Sequence, residues 1–281
     1  MLRKNNLFYI NYLEDMNDDL FVDKTLGSLK KFKSRYFKDF FVFNEISSTN
    51  AKAKDLIRDG AAEGSVVISK IQKSGRGRFD RVWKSPEGGL YISFILKPDV
   101  SVDKYTLLPL LSSIAVSKTL SLYGISNKIK WPNDVRIKGK KIAGILLESN
   151  ISKNQINYII LGIGVNLNID KNSFPDEIIH NTTSVLSELN KIVDYHRFLK
   201  DLILNLDKYI SIFEKEDFVK IISEWKILSD TFGKRVKITS SSGEIVGKAV
   251  DVDEFGFLIV ATDSGEYKKI MSGDCFYFKE L

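Results

Sequence analysis

The pattern of apolar and polar residues divides the chain into short strands and longer helices. Five apolar runs have the length of β-strands: residues 65–70, 90–96, 128–131, 142–148 and 158–165. Three segments have a helical pattern: residues 51–59, 105–123 and 195–229. Ser47-Ser48-Thr49-Asn50 supplies favoured helix-capping residues before the first helix, and Pro109 falls in the first turn of the second. This order of elements predicts a mixed sheet with helices packed on it.

The pattern changes after Gly233, where short β-rich runs alternate with turn signals. The turns are expected at Ser242-Gly243, Phe255-Gly256, Ser264-Gly265 and Ser272-Gly273. Regularly spaced short strands predict a small β-barrel of about 50 residues. We therefore expect three parts: an N-terminal extension of unclear role (1–40), with a helix around 18–32, a larger α+β domain (41–230) and a C-terminal barrel (231–281).

Composition excludes several classes of protein. The chain has 281 residues and a net charge of +6, but lysine is spread along its length, which does not favour a nucleic-acid surface. No apolar run predicts a membrane span, and the first residues lack the apolar stretch of a signal peptide. Cys275 is the single cysteine, so no intrachain disulfide forms, and a cytoplasmic location is expected. His180 and His196 lie apart from any metal-ligand pattern.

The segment Gln72-Lys73-Ser74-Gly75-Arg76-Gly77-Arg78 carries the strongest chemical signal. Two arginines at alternate positions in a glycine-rich loop can surround a phosphate or a carboxylate with guanidinium and backbone N–H groups. The segment lacks the Lys-Ser/Thr ending of a nucleoside-triphosphatase phosphate loop. Taken alone, it is equally compatible with an ordinary basic surface turn.

Four further motifs accompany this loop: Ser47-Ser48-Thr49-Asn50, Lys130-Trp131-Pro132-Asn133-Asp134, Lys140-Lys141-Ile142-Ala143-Gly144-Ile145-Leu146-Leu147-Glu148 and Gly162-Ile163-Gly164-Val165-Asn166. Each has a simpler interpretation when taken alone. The first can be a helix cap, the second a turn with a buried indole, and the third an edge strand with solvated lysines. The fourth lacks the third glycine of a dinucleotide-binding fingerprint.

Together and in this order, the five motifs resemble those of the bacterial biotin protein ligases, over roughly residues 41–281. The resemblance implies a catalytic domain like those of class II aminoacyl-tRNA synthetases, followed by an SH3-like barrel. It also implies two reactions: biotin and MgATP form biotinyl-5′-AMP, and biotin then passes to a lysine of a biotin carboxyl carrier protein. Pairing of two copies through catalytic-domain sheet edges is a further implication.

The two substrates that the resemblance implies are both anions, and this charge indicates which residues act in catalysis. The biotin carboxylate and the α-phosphate of ATP repel each other, so fixed positive charge is the main requirement. Arg76, Arg78 and Lys141 are the expected catalytic residues, and the resemblance places both arginines on a loop that orders over the ligand. Gly75 and Gly77 would let that loop change shape. No dedicated metal cage is expected; Mg²⁺ would arrive with ATP, and Asp134 would help to hold it or orient a lysine.

The remaining site residues are assigned by ligand. Besides those cations and loop glycines, the expected biotin-binding residues are Ser48, Thr49, Asn50, Gln72 and Gly144. The further residues expected to contact ATP or the adenylate are Arg81, Trp83, Asn133 and Asn166. Trp83 is expected to stack on adenine, and Gly144 to let the backbone approach the ligand.

The chain departs from the family pattern at two places. Phe79-Asp80-Arg81 follows the Gly-Arg pairs where the family often has a basic or polar residue and then Gly-Arg, so Asp80 should stiffen the loop or alter its charge. The 46 residues before Ser47 lack a clear helix-turn-helix pattern, which predicts a ligase that binds no operator DNA. Two alternatives remain: a lipoate or octanoate ligase, although its Arg-Arg-x-x-Gly-Gly-Gly loop is missing, and a nucleic-acid-binding regulator.

Overall fold

The computed structural model describes residues 20–240 and 243–278, which form two β-sheets and the helices around them. The strands of the larger sheet are β1 (Asp39–Ile46), β2 (Ser65–Gln72), β3 (Leu90–Leu96), β4 (Lys128–Lys130), β5 (Asp134–Ile137), β6 (Lys140–Ser152) and β7 (Gln155–Val165). The strands of the smaller sheet are β8 (Arg235–Ser240), β9 (Gly243–Val252), β10 (Leu258–Thr262), β11 (Tyr267–Ile270) and β12 (Asp274–Tyr277).

In the described part of the chain, seven α-helices connect or cover these strands: α1 (Leu20–Leu29), α2 (Thr49–Arg58), α3 (Leu108–Leu122), α4 (Asp176–Ile179), α5 (Val185–Leu189), α6 (Tyr195–Glu214) and α7 (Phe218–Leu228). Two 3₁₀ helices span Val102–Leu107 and Lys171–Ser173. The helical pattern at 195–229 therefore belongs to two helices rather than one. Asp217 interrupts it and caps α7, because its side chain accepts a hydrogen bond from the Lys220 N–H.

The larger sheet has the strand order β1-β2-β3-β7-β6-β5-β4. β1 and β2 run parallel, and every other neighbouring pair in the sheet is antiparallel, so the sheet is mixed as predicted. The alternation along β2 shows how it is covered: Val66 and Ile68 pack into the main core, and Val67 joins the smaller core under α2. Helices therefore lie on both faces of the sheet.

Helix α3 is the central core helix. Eleven of its 15 residues are buried, and it packs against α6, α7 and the sheet. The stretch Val102–Leu122 is long and apolar enough to cross a membrane by length and composition, although 67% of its most apolar window is buried inside the fold. The core helix of a folded domain meets the same criterion, so this segment adds no evidence for a membrane span.

The smaller sheet is antiparallel, with the order β11-β10-β9-β8-β12. Its inward side chains, including Val236, Leu258 and Val260, belong to the same buried cluster as the core of the larger sheet. Trp131 joins the two parts, because its indole Nε1 donates to the Gly256 carbonyl at 3.0 Å and its backbone N donates to the Thr231 hydroxyl. The small sheet is thus packed firmly against the larger one.

Candidate active site

All five motifs meet at one cavity of about 200 Å³. Its wall includes the start of α2, the end of β2, the loop that follows β2, and the turn between β4 and β5. Strands β6 and β7 supply further residues, and β12 of the small sheet supplies Gly273 to Phe276. Segments more than 200 residues apart in sequence therefore enclose one space.

The loop after β2 is a closed hairpin. Gln72 N donates to the Ser85 carbonyl at 3.2 Å, Trp83 N to the Gly75 carbonyl at 2.8 Å, and Gly77 N to Arg81 O at 2.7 Å. Phe79 and Asp80 form its tip with φ values of 54° and 56°, the left-handed region that favours glycine. Asp80 thus adopts the conformation suited to the glycine of the family pattern.

Gly75 is required for space rather than for its backbone angle. A Cβ on Gly75 would lie 2.3 Å from the Trp83 carbonyl oxygen and 2.5 Å from Ser85 Oγ, so no side chain fits. Gly77 has more room, with Arg81 O at 3.3 Å from the same hypothetical atom. Neither glycine has a positive φ in this structure, and that the two glycines let the loop change shape stays a prediction.

The three expected catalytic cations all line the cavity, and each has an oxygen partner. Arg76 Nη1 lies 3.0 Å from Glu148 Oε1, and Lys141 Nζ lies 2.6 Å from Asp134 Oδ1. Arg78 donates to Asn133 Oδ1 at 3.4 Å. Burial lowers the pKa of Arg78, while the negative charges of the Asp274 and Asp134 side chains oppose that shift. The cavity thus concentrates positive charge beside a few acids that orient it.

A buried hydrogen-bond network holds the polar end of the cavity. Gln72 Oε1 accepts from the Thr49 backbone N at 2.8 Å and from Thr49 Oγ1 at 3.1 Å, and Gln72 Nε2 donates to Ser85 Oγ. Asn50 Nδ2 donates to Glu148 Oε2 at 2.7 Å, and Asn50 Oδ1 accepts from the Ser93 hydroxyl. These contacts fix the amide orientations of Gln72 and Asn50.

Glycines form the floor beneath the indole of Trp83. Gly144 on β6 pairs with Gly164 on β7, and a Cβ on Gly164 would lie 2.6 Å from Trp83 Nε1. A Cβ on Gly144 would lie 3.1 Å from both the indole and Lys141 Cε. Gly144 therefore makes room for these two side chains. The indole N–H is buried and has no hydrogen-bond acceptor among the described residues.

Asn133 and Asn166 have different surroundings. Asn133 lines the cavity and donates to the Ile145 carbonyl while it accepts from Arg78. Asn166 is buried behind the cavity wall, and its Nδ2 donates to the Thr183 carbonyl at 3.0 Å. The two asparagines expected to contact the adenylate are therefore not equivalent, and only Asn133 lies on the wall.

The structure adds residues that had no assigned role. Glu148 ends the third motif, so its position offered a signal, and it bridges Asn50 and Arg76. Lys130 begins the second motif and lines the cavity with Nζ 4.9 Å from the ring centre of Tyr277; burial lowers its pKa. Asp274 comes from β12 and contacts Arg81. Nothing in the sequence around Asp274 signals a site.

Within residues 20–240 and 243–278, no cluster of three or more His, Cys, Asp or Glu side chains is arranged to hold a metal ion. Two carboxylates, those of Asp134 and Asp274, do line the cavity. Mg²⁺ commonly uses one or two carboxylates together with substrate phosphates, so this donor set fits an ion that arrives with a nucleotide.

Comparisons with known proteins agree with this geometry. Residues 42–166 match the model of the biotin/lipoate A/B protein ligase family, and residues 231–277 match the biotin protein ligase C-terminal domain. The bifunctional ligase/repressor BirA of Bacillus subtilis is 34% identical over 245 residues, which cover 86% of this chain and 75% of the relative. The biotin–[acetyl-CoA-carboxylase] ligase of Paracoccus denitrificans is 29% identical over 228 residues, 78% of this chain and 92% of that protein.

Solved structures give the same result. The biotin protein ligase from Aquifex aeolicus in complex with biotin and ATP superposes with a TM-score of 0.75 at 30% identity, over 87% of this chain and 100% of that one. The fold and the site define an ATP-dependent ligase that modifies proteins. The chain belongs to the biotin protein ligase family. The predicted fold class, a mixed-sheet catalytic part followed by a small SH3-like barrel, is confirmed.

Proposed function

We propose that this cavity activates biotin and then transfers it to protein. A biotin carboxylate oxygen bonds to the α-phosphorus of ATP, the bond from that phosphorus to the bridging oxygen breaks, and pyrophosphate leaves. The amine of an acceptor lysine then bonds to the acyl carbon, AMP leaves, and the amine releases a proton. The observation that carries this proposal is the convergence of Arg76, Arg78 and Lys141 on one cavity from two separate segments.

The cations serve the first reaction because both reactants are anions. Lys141 extends from β6, and the two arginines extend from the hairpin, so positive charge borders the cavity on two sides. Charge fixed in advance stabilises a transition state in which negative charge grows on the phosphoryl oxygens. Lys141 then remains in place to stabilise the oxyanion when the amine attacks the acyl carbon.

Asp134 has two tasks in this scheme. Its Oδ1 lies 2.6 Å from Lys141 Nζ, and it is the carboxylate that would hold Mg²⁺ accompanying ATP. The ion would neutralise charge on the phosphates that leave. Without a carboxylate such as that of Asp134, Lys141 would lack a partner that orients it. Additional carboxylates in the cavity would cancel the positive charge that the reaction requires.

The two ends of the cavity suit the two ligands. Ser48, Thr49 and Gln72 present hydroxyl and amide groups that match the donors and acceptors of the biotin ureido ring. The Trp83 indole and Asn133 lie by the arginines and suit the adenylate. Asn50 lines the biotin end as well and holds Glu148 in position, whereas Asn166 lies behind the wall and holds the Thr183 segment.

The acceptor is proposed to be the biotin carboxyl carrier protein of a biotin-dependent carboxylase. The Paracoccus denitrificans relative is named for acetyl-CoA carboxylase, which supports this class of partner. Edge strands β1 and β4 of the larger sheet are candidate surfaces for a homodimer. A cytoplasmic location and a lack of operator binding remain predictions, and much of the N-terminal extension (1–19) lies outside the described residues.

Biotin is favoured over lipoate because several relatives, such as the ligase of Paracoccus denitrificans, and the Aquifex aeolicus structure are named for biotin. Exchange of labelled pyrophosphate into ATP tests this directly. Exchange is expected with biotin and not with lipoate, and a purified carrier domain should then accept the label of radioactive biotin. Exchange supported equally by lipoate, or none with biotin, contradicts the proposal.

A further inference from the structure

The small C-terminal sheet contributes an acid to the cavity wall. Asp274, the first residue of β12, is in ionic contact with Arg81 of the arginine hairpin. The two residues are 193 positions apart in sequence. The Asp274 side chain is 20% exposed and that of Arg81 is 58% exposed, so the contact lies at the mouth of the cavity. Asp274 also lies close enough to Arg78 to act on its charge.

Arg81 is coupled to Arg78 through the backbone of the hairpin. Arg81 N donates to the Arg78 carbonyl at 3.2 Å, and Arg81 O accepts from Gly77 N at 2.7 Å. A side-chain contact that holds Arg81 therefore holds the turn that presents Arg78 to the cavity. The left-handed tip at Phe79 and Asp80 closes the same turn. A movement of the hairpin that carries Arg81 away from the small sheet breaks its contact with Asp274.

The other end of the contact is firmly anchored. Cys275 and Phe276 of β12 pair with Ile238 and Lys237 of β8, and the small sheet shares its buried core with the larger one. The Trp131 indole adds a hydrogen bond between the two parts, to the Gly256 carbonyl. Asp274 is thus a fixed point on one side of the mouth, whereas the hairpin lies on the other.

We propose that Asp274 is a positioning residue that holds the arginine hairpin closed over the bound adenylate through Arg81. This inference rests on the proposed function, because it concerns retention of the intermediate that the function requires. A mixed anhydride is readily hydrolysed, so a closed hairpin protects it until the acceptor lysine arrives. The small sheet thereby forms part of the active site.

A partly exposed ion pair is suited to this task. Such pairs add little to the stability of a fold, so the contact can break and re-form without unfolding either part. Added salt also weakens the ion pair between Arg81 and Asp274, because dissolved ions screen both charges. The proposal therefore predicts a change in how long the adenylate stays bound, with little change in melting temperature.

The small sheet offers a matched control. Arg235 and Asp263 form another exposed ion pair, with side chains 52% and 65% exposed, and neither residue lines the cavity. Asp263→Asn removes one charge from the same sheet, as Asp274→Asn does, but leaves the hairpin untouched. A general effect of lost charge would appear in both variants.

The experiment measures release of biotinyl-5′-AMP from the purified full chain. Enzyme loaded with labelled adenylate is diluted into unlabelled biotin and ATP, and free adenylate is followed with time for Asp274→Asn, Arg81→Gln, the double variant and Asp263→Asn. Release should accelerate about threefold to fivefold in each single variant of the pair, as loss of a partly exposed ion pair allows. The double variant should release no faster than the singles, and Asp263→Asn should match the wild type.

A salt series and thermal melting complete the test. The melting temperatures of the variants should differ little from that of the wild type. In about 0.5 M NaCl, where screening acts over a few ångströms, wild-type release should approach that of Asp274→Asn. Release from Asp274→Asn equal to wild type, equal acceleration in Asp263→Asn, or fully additive effects in the double variant overturn the positioning role. If the wild-type chain forms no adenylate, the proposed function itself is contradicted. That result differs from the outcomes that contradict only the role of Asp274.

Discussion

Lys141 Nζ lies 2.6 Å from Asp134 Oδ1 across the neighbouring antiparallel strands β6 and β5. The lysine side chain is 33% exposed, and the acid is 24% exposed, so the pair faces the cavity rather than the core. The first prediction follows from this geometry.

Lys141→Ala should abolish biotin-dependent pyrophosphate exchange while the protein stays folded. The variant loses a cation at the reacting atoms, whereas a partly exposed lysine contributes little to stability. Lys140→Ala is the matched control, because Lys140 precedes it on the same strand and does not line the cavity. Wild-type exchange in Lys141→Ala, or equal loss in Lys140→Ala, would falsify the assigned role.

Arg78→Ala should weaken retention of the adenylate more strongly than removal of Asp274. Arg78 is itself a cavity-lining cation, and its guanidinium contacts Asn133, so its loss removes direct charge as well as a wall contact. A charged hydrogen bond of about 1.5–3 kcal/mol corresponds to release that is faster by roughly one to two orders of magnitude. Dilution experiments measure this rate. Arg197→Ala on α6 serves as the exposed-arginine control.

Glu148→Gln should slow adenylate formation and lower stability modestly. The acid holds Arg76 at 3.0 Å and accepts from Asn50 at 2.7 Å, and a neutral amide cannot keep the ion pair. We expect a loss of about 1–3 kcal/mol in unfolding free energy, the usual effect of leaving a buried polar partner less well bonded. Urea titration measures it. Glu87→Gln, whose acid is 65% exposed, should change neither quantity.

Gly164→Ala should displace the Trp83 indole and raise the KM for ATP. The new methyl group would lie 2.6 Å from Nε1, and overpacking of this kind costs about 1–3 kcal/mol. Gly27→Ala is the opposite case: the glycine is in α1, and no atom lies within 4 Å of the added carbon. It should stabilise the fold by about 0.5–1 kcal/mol. Thermal unfolding and steady-state kinetics separate the two variants.

Cys275 should react slowly with iodoacetamide in the native protein. Burial raises the pKa of its thiol to about 11, so at pH 8 about one thiol in a thousand is ionised. The labelling rate should increase about tenfold for each pH unit from 8 to 10, because the thiolate is the reactive form. The same thiol in urea should react much faster at pH 8. Equal native and unfolded rates at that pH would contradict the burial effect.

Local pattern predicted most of the elements. The apolar run at 90–96 matches β3, and Pro109 lies in the first turn of α3 as expected. Strand β5 was missed because it has four residues and alternates half-buried with buried positions next to a predicted turn. The strands β6 and β7 extend beyond their predicted ends, because polar residues such as Ser152 and Gln155 continue the pairing of the two strands.

Sequence alone determined the fold class, the family and about half of the residues that line the cavity. These properties depend on local periodicity and on side-chain chemistry, both of which are visible in short segments. Only the tertiary structure decided that Gly75 is needed for space, that Asn166 lies behind the wall, and that Asp274 reaches Arg81. Such facts depend on which distant segments pack together, and packing is a property of the whole fold that no local pattern records.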